Sequence, residues 1–324
     1  MSVAAYAGTS DTGRKRRRNE DSYVVAPPLF AVADGMGGAQ AGEIASKLAA
    51  ATLEDTDPGA TSGEERVTTL IQEANRRVHE RATADPSTSG MGTTMTVALV
   101  EGRTVTFGHV GDSRAYRYRS GAIEQVTEDH SLVNELLKSG KLSPEEADTH
   151  PQRSVITRAV GTDPDVDVDA FTIEAEPGDV FLICSDGLTD MVGDDDILGV
   201  LDRFHDDLDR VTKSLVSAAN RGGGEDNITV VAFRISADDA AGQTERLPAV
   251  DAEETLENVR APAVDTMVVA PEEVEHVFVE PGSPAAAAVT RREPISPAAR
   301  VRLVLTMLVL LAIAAVLLVW GLLR

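Results

Sequence analysis

The chain has 324 residues, 53 of them acidic and 30 basic, and its formal net charge is −23. Because nucleic-acid backbones are bound chiefly by Lys and Arg, this balance argues against nucleic acid as a partner. A single cysteine, Cys184, excludes an internal disulfide and a thiolate zinc cage, and favours a reducing compartment.

Strands and helices are predicted in alternating blocks between residues 1 and 236. In chain order, the apolar patterns predict a strand over 29–34, helices over 42–55 and 64–82, strands over 93–100, 104–111 and 115–119, helices over 131–140 and 143–147, and strands over 179–186 and 227–235. Ser143 and Glu146 have the spacing of a capping box at the start of the last of these helices. Hairpin-spaced strands beside paired helices indicate an α+β sandwich rather than regular βαβ winding.

Three parts of the chain differ in composition: 1–236, 237–300 and 301–324. The middle part is acidic, rich in Ala and Pro and without a sustained apolar period, which predicts a disordered linker. Residues 303–323 carry neither charge nor Pro, and as a helix would be about 32 Å long, which matches the hydrocarbon core of a bilayer. Arginines are concentrated before this predicted transmembrane helix. The chain is therefore predicted to be a single-pass cell-membrane protein whose N-terminal domain lies in the cytoplasm.

Four aspartates adjoin predicted apolar strands: Asp34, Asp112, Asp186 and Asp226. If these strand ends converge, the charges must be neutralised, because an unpaired buried charge costs several kcal/mol. Divalent cations do this with carboxylate, carbonyl and water oxygens, and a donor set without His or Cys favours Mg²⁺ or Mn²⁺ over Zn²⁺. The glycines that follow two of these aspartates allow a backbone carbonyl to approach an ion closely.

Two such ions close together would lower the pKa of a shared water and neutralise charge on a phosphoryl group. The run "GRKRRRNED" over residues 13–21 supplies arginines immediately before an acidic pair. Taken alone, that run is more typical of a solvated basic patch or a weak nuclear or membrane signal. Beside a metal centre, it indicates a phosphate ester as the substrate.

The ordered motifs "RRRNED", "FAVADGMGG", "GMGTT", "GHVGDSR", "CSDGLTD" and "GGGEDNITVV" resemble the metal-dependent PPM/PP2C family of serine/threonine phosphatases, and its bacterial membrane-anchored members above all. The resemblance covers about residues 5–236. It implies an α/β/β/α sandwich with two central antiparallel sheets flanked by helix pairs. It also implies hydrolysis of phosphoserine and phosphothreonine in proteins by a metal-bridging water or hydroxide. The expected partners are phosphorylated proteins, including Ser/Thr protein kinases at the membrane.

The resemblance further implies a centre of two Mn²⁺ or Mg²⁺ ions. By motif position, Asp34 bridges the two ions and the Gly35 carbonyl binds one of them. Asp186 and Asp226 complete the protein ligands.

Bacterial relatives of this type bind a third, weaker ion. Its ligands here would be Asp112 and Asp186, with Ser154 as a further candidate. The segment 131–160 corresponds to a mobile flap over the substrate in those relatives.

Three residues beside the metals have expected catalytic roles. Arg16, four positions before Glu20, would bind the phosphate, while Glu20 and Asp21 would hold metal-bound water or Arg16. One departure concerns Met36, because some relatives carry a His there that is the proposed general acid. A metal-bound water is then the remaining candidate proton donor.

Several other interpretations of the sequence are weaker. A cysteine phosphatase needs an Arg at a fixed distance after its nucleophile, where this chain has Asp190 after Cys184. His109 and His130 are expected to be structural. A membrane-tethered scaffold without activity, and a two-metal phosphodiesterase or nuclease, remain as alternatives, although the acidic surface disfavours a polyanionic substrate.

Overall fold

Two antiparallel sheets form the centre of the molecule, and the computed structural model describes residues 2–37, 41–55, 61–148, 150–236 and 267–268. The first sheet contains, in spatial order, β1 (Ser2–Asp11), β12 (Ile228–Ser236), β11 (Val180–Cys184), β7 (Arg114–Arg119) and β8 (Ala122–Gln125). The second contains β10 (Asp169–Glu174), β6 (Thr104–Val110), β5 (Met95–Glu101), β3 (Leu29–Met36) and β2 (Asp21–Ala26), with β4 (Gly92–Thr93) paired to β3.

Helices cover the outer face of each sheet. The second sheet packs against α1 (Ala41–Asp55) and α2 (Gly63–Ala84), and the first against α5 (Asp186–Thr189), α6 (Asp194–Phe204) and α7 (Leu208–Gly222). Two shorter helices, α3 (Leu132–Lys138) and α4 (Pro144–Asp148), lie between β8 and β9 (Val155–Ile156). The predicted α/β/β/α sandwich is confirmed.

Aromatic side chains join the two sheets across their shared core. The Phe30 ring stacks on Phe233 at 4.3 Å between centroids and 9° between planes, and Phe181 stacks on Phe233 at 5.3 Å. All three side chains are fully buried. Because burying one such side chain stabilises the fold by about 1.5–3 kcal/mol, this cluster fixes how the sheets face each other.

The structure adds elements that the sequence patterns did not predict, namely β1, β2, β9, β10, α5, α6 and α7. It also divides the predicted strand over 93–100, because Thr94 interrupts the pairing between β4 and β5. The capping box is confirmed: the Ser143 N–H donates to Glu146 Oε2 at 2.9 Å, and the Glu146 N–H donates to Ser143 Oγ at 3.3 Å.

The predicted linker lies outside the described residues except for a short strand β13 (Met267–Val268), which pairs in parallel with β9. Its predicted disorder stays a prediction. The predicted transmembrane helix over 301–324 also lies outside them. Within the ranges that the structure does describe, no helix is long and apolar enough to cross a bilayer.

Candidate metal centre and active site

Acidic side chains converge where strands of both sheets end. Asp21 at the start of β2 lies directly opposite Asp34 near the end of β3. In the other sheet, Asp186 follows β11 and Asp226 precedes β12. Asp112 occupies the turn that leads from β6 to β7, which carries the chain from one sheet to the other. Residues up to 205 positions apart in the sequence, Asp21 and Asp226, thus meet at one end of the sandwich.

The Thr pair of "GMGTT" holds the backbone of Asp34 in place. The Asp34 carbonyl oxygen accepts hydrogen bonds from Thr93 Oγ1 and from the Thr94 N–H, both at 2.8 Å. The Asp34 N–H donates to Thr94 Oγ1 at 3.0 Å, and that hydroxyl is 2.8 Å from Ser113 Oγ. The break between β4 and β5 therefore links Asp34 to the turn that carries Asp112.

Asn227 fixes the arginine-rich segment against the site, and the sequence analysis did not single it out. Its Oδ1 accepts from the Glu20 N–H at 2.7 Å, while its Nδ2 donates to the carbonyls of Thr12 and Arg18 at 3.0 and 2.8 Å. The side chain is buried. The signal that could have found it is its position directly after Asp226, since an Asn there can pin a loop without adding charge.

Ser185 is a second residue that the sequence analysis missed. Its hydroxyl donates to Asp21 Oδ2 at 2.8 Å and accepts from the Thr229 N–H at 3.0 Å. It therefore orients the Asp21 carboxylate from the opposite sheet. These contacts join residues 44 and 164 positions apart, so no local pattern reveals them.

The electrostatics of the cluster disfavour ionised carboxylates. Burial raises the pKa of Asp34 well above its ordinary value, and the charges of Asp21, Asp186 and neighbouring aspartates raise it further. The pKa of Asp186 is also well above its ordinary value, first through burial and then through Asp112. Burial raises the pKa of Asp21 to about 6 and that of Asp112 to about 7. Positive charge placed among these carboxylates would stabilise their ionised forms.

The residues present fit divalent cations. Asp21 Oδ1 and Asp186 Oδ1 are buried and have no hydrogen-bond partner among the described residues. A buried carboxylate oxygen without a partner is costly, and a cation would satisfy it. The surrounding donors are oxygens, as Mn²⁺ and Mg²⁺ require.

The described side chains are nevertheless not yet arranged around an ion position. Asp226 Oδ2 is paired with Arg16 Nη2 at 2.7 Å, and Asp226 Oδ1 accepts from the Asn227 N–H at 2.7 Å. In the described part of the chain, no three His, Cys, Asp or Glu side chains are already arranged around one ion position. The role of Asp226 as a ligand stays a prediction: each of its carboxylate oxygens already accepts one hydrogen bond and retains a further lone pair.

Arg16 lies at the edge of the acidic cluster, and its role in binding phosphate stays a prediction. It is half-buried beside Asp226, and the charges of Asp34 and Asp186 also act on it. Arg17 and Arg18 are exposed by comparison. The structure thus directs one arginine of the run towards the acidic cluster.

Ser154 has no side-chain hydrogen bond to the cluster among the described residues, so its role as a ligand stays a prediction. The neighbouring Arg153 forms an ion pair with Asp190 at 3.2 Å. That contact joins the segment 131–160 to the turn after α5.

Comparison with known proteins decides the family. The protein phosphatase 2C family model matches residues 13–221. The chain belongs to the protein phosphatase 2C family.

Serine/threonine protein phosphatase PstP of Mycobacterium tuberculosis is 41% identical over 234 residues, which cover 71% of this chain and 44% of PstP. Serine/threonine phosphatase Stp of Listeria monocytogenes is 40% identical over 233 residues, covering 68% of this chain and 92% of Stp. The chain therefore spans less than half the length of PstP.

A solved structure shows the same fold with metal bound. The catalytic domain of PstP in complex with two manganese ions has a TM-score of 0.66 and 37% identity, and the match covers 73% of this chain and all of that domain. The predicted resemblance to this family is confirmed.

Hydrogen bonds to neighbouring segments hold the rings of His109 and His130 in place, as expected of structural histidines. The His109 Nδ1 is bonded to Thr96 Oγ1 and its Nε2 to the Glu128 carbonyl, both at 2.9 Å. The His130 Nδ1 accepts from the Gly111 N–H at 3.0 Å, and its Nε2 lies 3.1 Å from Asp169 Oδ2. Each of the four ring nitrogens thus has a hydrogen-bond partner.

Cys184 is buried in β11, and this burial raises the pKa of its thiol to about 12, which is unsuited to a nucleophile.

Gly35 allows the end of β3 to approach α1 closely. A Cβ added there would lie 2.1 Å from the Gly42 carbonyl oxygen and 2.6 Å from that of Glu20. We expect Gly35→Ala to displace Asp34 and Glu20, lowering activity on the order of 10²-fold and stability by about 1–3 kcal/mol. The measurements are kcat/KM and the thermal midpoint. Gly199→Ala, in α6 with open space around it, is the control and should retain full activity.

Proposed function

We propose that this chain hydrolyses phosphoserine and phosphothreonine in proteins with two Mn²⁺ or Mg²⁺ ions bound. The observation that carries the proposal is the convergence of Asp21, Asp34, Asp112 and Asp186 in one cluster with unsatisfied buried oxygens. The names of the relatives PstP and Stp as serine/threonine phosphatases support it, as does the manganese in PstP.

The residues have distinct roles in this proposal. Asp34, the Gly35 carbonyl, Asp186 and Asp226 would hold the two ions. When bound, the ions supply an activated water and neutralise charge on the phosphoryl group. The Arg16 guanidinium would orient the phosphate through paired hydrogen bonds from its planar N–H groups.

A third and weaker ion would use Asp112 and Asp186, with Ser154 as an additional ligand from the segment 131–160. The raised pKa of Asp112 supports a cation at this position, because burial disfavours its charge without one. The ion pair between Arg153 and Asp190 joins the residue before Ser154 to the turn after α5.

Metal removal tests the proposed activity directly. The full-length chain should release phosphate from a phosphothreonine peptide and from p-nitrophenyl phosphate with Mn²⁺, and EDTA should stop both reactions. Excess Mn²⁺ should restore them. Bis-p-nitrophenyl phosphate serves as the control for a phosphodiesterase. Preferred turnover of that diester, or no turnover at any Mn²⁺ concentration, would replace the proposal with the phosphodiesterase or the scaffold alternative.

We further propose that a transmembrane helix over 301–324 anchors the phosphatase, with the catalytic domain in the cytoplasm. The uncharged apolar run supports the span, and the arginines before it support the orientation. Membrane-bound Ser/Thr protein kinases and their phosphorylated targets would be the partners, since tethering raises the local concentration.

Removal of residues 301–324 should transfer an active phosphatase from the membrane to the soluble fraction. The measurement is activity and immunoblot signal after ultracentrifugation of cell lysate. A matched deletion of 237–300 retains the apolar run and should stay with the membranes. Sedimentation of the 301–324 deletion with membranes would contradict the proposed anchor.

A further inference from the structure

A basic pocket lies at the start of the arginine-rich segment and has no role in the chemistry proposed above. It is an open surface depression with a volume of about 500 Å³ between the end of β1 and α7, and we call it the α7 pocket. Its charged lining consists of Arg14, Lys213, Arg221 and Asp11. Three cations and one carboxylate give the pocket a net charge of +2, in a chain whose total is −23.

Asp11, the one acidic residue that lines the α7 pocket, accepts hydrogen bonds from neighbouring residues. Asp11 Oδ1 accepts from the Gly13 N–H at 2.9 Å and from Asn220 Nδ2 at 3.0 Å. No described cation forms an ion pair with it. This carboxylate therefore shapes the turn after β1 and leaves the three cations of the pocket without an acidic partner inside it.

The cations are available to a ligand. Arg14 is exposed and forms no ion pair with a described carboxylate. Arg221 donates only to a hydroxyl, Ser217 Oγ, at 2.7 Å. Lys213 lies 3.6 Å from Asp209 with its side chain 70% exposed, so this surface pair contributes little and is easily exchanged.

The α7 pocket is held next to the phosphate-binding arginine. The N–H groups of Arg14 and Lys15 both donate to the Gly224 carbonyl, at 2.7 and 3.1 Å. Two residues further along, Arg16 pairs with Asp226. Because two residues of extended chain span at most about 7 Å, the backbone of Arg14 lies within about 7 Å of that of Arg16, a separation that neighbouring residues of a bound peptide could bridge.

We infer that the α7 pocket binds a second phosphoryl group of the substrate, so that the enzyme prefers phosphoproteins in which two phosphorylated residues lie close together. A phosphoryl group carries a charge of about −1.5 to −2 at neutral pH and three acceptor oxygens, which match the pocket's charge and its Arg and Lys donors. A glutamate would provide only half of that charge. This inference rests on the proposed function and names its substrate class.

The test compares phosphothreonine peptides on the full-length enzyme. One peptide carries the phosphothreonine alone. Two further series place a second group two residues before or after it, either a glutamate or a phosphonate that cannot be hydrolysed. We expect the phosphonate to raise kcat/KM about tenfold in one of the two placements, which corresponds to about 1.4 kcal/mol. The glutamate should raise it less, and added salt should reduce both effects.

Arg14→Ala and Arg221→Ala should remove the phosphonate preference and leave turnover of p-nitrophenyl phosphate and of the singly phosphorylated peptide unchanged. Arg103→Ala, in the exposed β5–β6 turn, is the matched control and should keep the preference.

Equal rates for all peptides would overturn the inference, as would equal losses on every substrate in the two variants. If the variants instead lose binding to phosphatidylserine vesicles, the pocket serves a lipid surface. Absence of any p-nitrophenyl phosphate turnover would count against the proposed function alone.

Discussion

Asp34→Asn is expected to lower kcat on phosphopeptides by at least on the order of 10³-fold, which corresponds to about 4 kcal/mol in the activation barrier. The amide keeps the size and one acceptor oxygen of the side chain, but it replaces the other oxygen with an NH2 donor and lacks the charge that would hold two cations. The measurement is steady-state phosphate release with saturating Mn²⁺. Asp165→Asn, which removes one carboxylate from an exposed turn, is the control and should behave as the wild type.

The same substitution should stabilise the metal-free protein. Because the pKa of Asp34 is raised in the folded state, its ionised form is disfavoured at neutral pH, and stability increases as pH falls towards the ordinary carboxyl value. Asp34→Asn removes that penalty. In EDTA at neutral pH its thermal midpoint should exceed that of the wild type, by about 2–4 °C for each kcal/mol, and the difference should shrink at lower pH. A lower midpoint in EDTA would contradict the repulsion inferred for the cluster.

Phe233→Ala is expected to cause the largest loss of stability, about 3–5 kcal/mol. The ring is fully buried and stacks on both Phe30 and Phe181, so its removal leaves a cavity between the two sheets. The thermal midpoint should fall by about 6–20 °C.

Chemical denaturation of Phe233→Ala and Phe233→Leu checks this prediction. Leucine fills much of the same space and should recover most of the lost stability. An alanine variant as stable as the wild type would mean that the two sheets do not depend on this cluster.

Much of the central framework could be predicted from local sequence. The strands β3 and β11 are short apolar runs that each lead to an Asp-Gly, and α2 repeats apolar residues with a helical period. Burial on one or both faces explains why these patterns were informative. The helix α7 also carries a buried stripe, at Val211, Leu215 and Ala219, which is a local signal of the same kind as that of α2.

Other elements had no comparable local signal. Most side chains of β1 are only half-buried, so its residues lack the alternation that identifies a strand. Pairing with β12, more than two hundred residues away, makes it a strand. Ser185 and Asn227 likewise act through hydrogen bonds between distant segments, which a single sequence does not show. The ion pair between Arg16 and Asp226 combines two motifs that the sequence analysis had given separate roles.

The number of Mn²⁺ ions bound per chain, measured by equilibrium dialysis on wild type and Asp34→Asn, tests most directly whether these aspartates form one metal centre. Two tightly bound ions in the wild type and the loss of at least one in the variant are predicted. Equal binding by both proteins, or none by the wild type, would contradict a metal centre at Asp34.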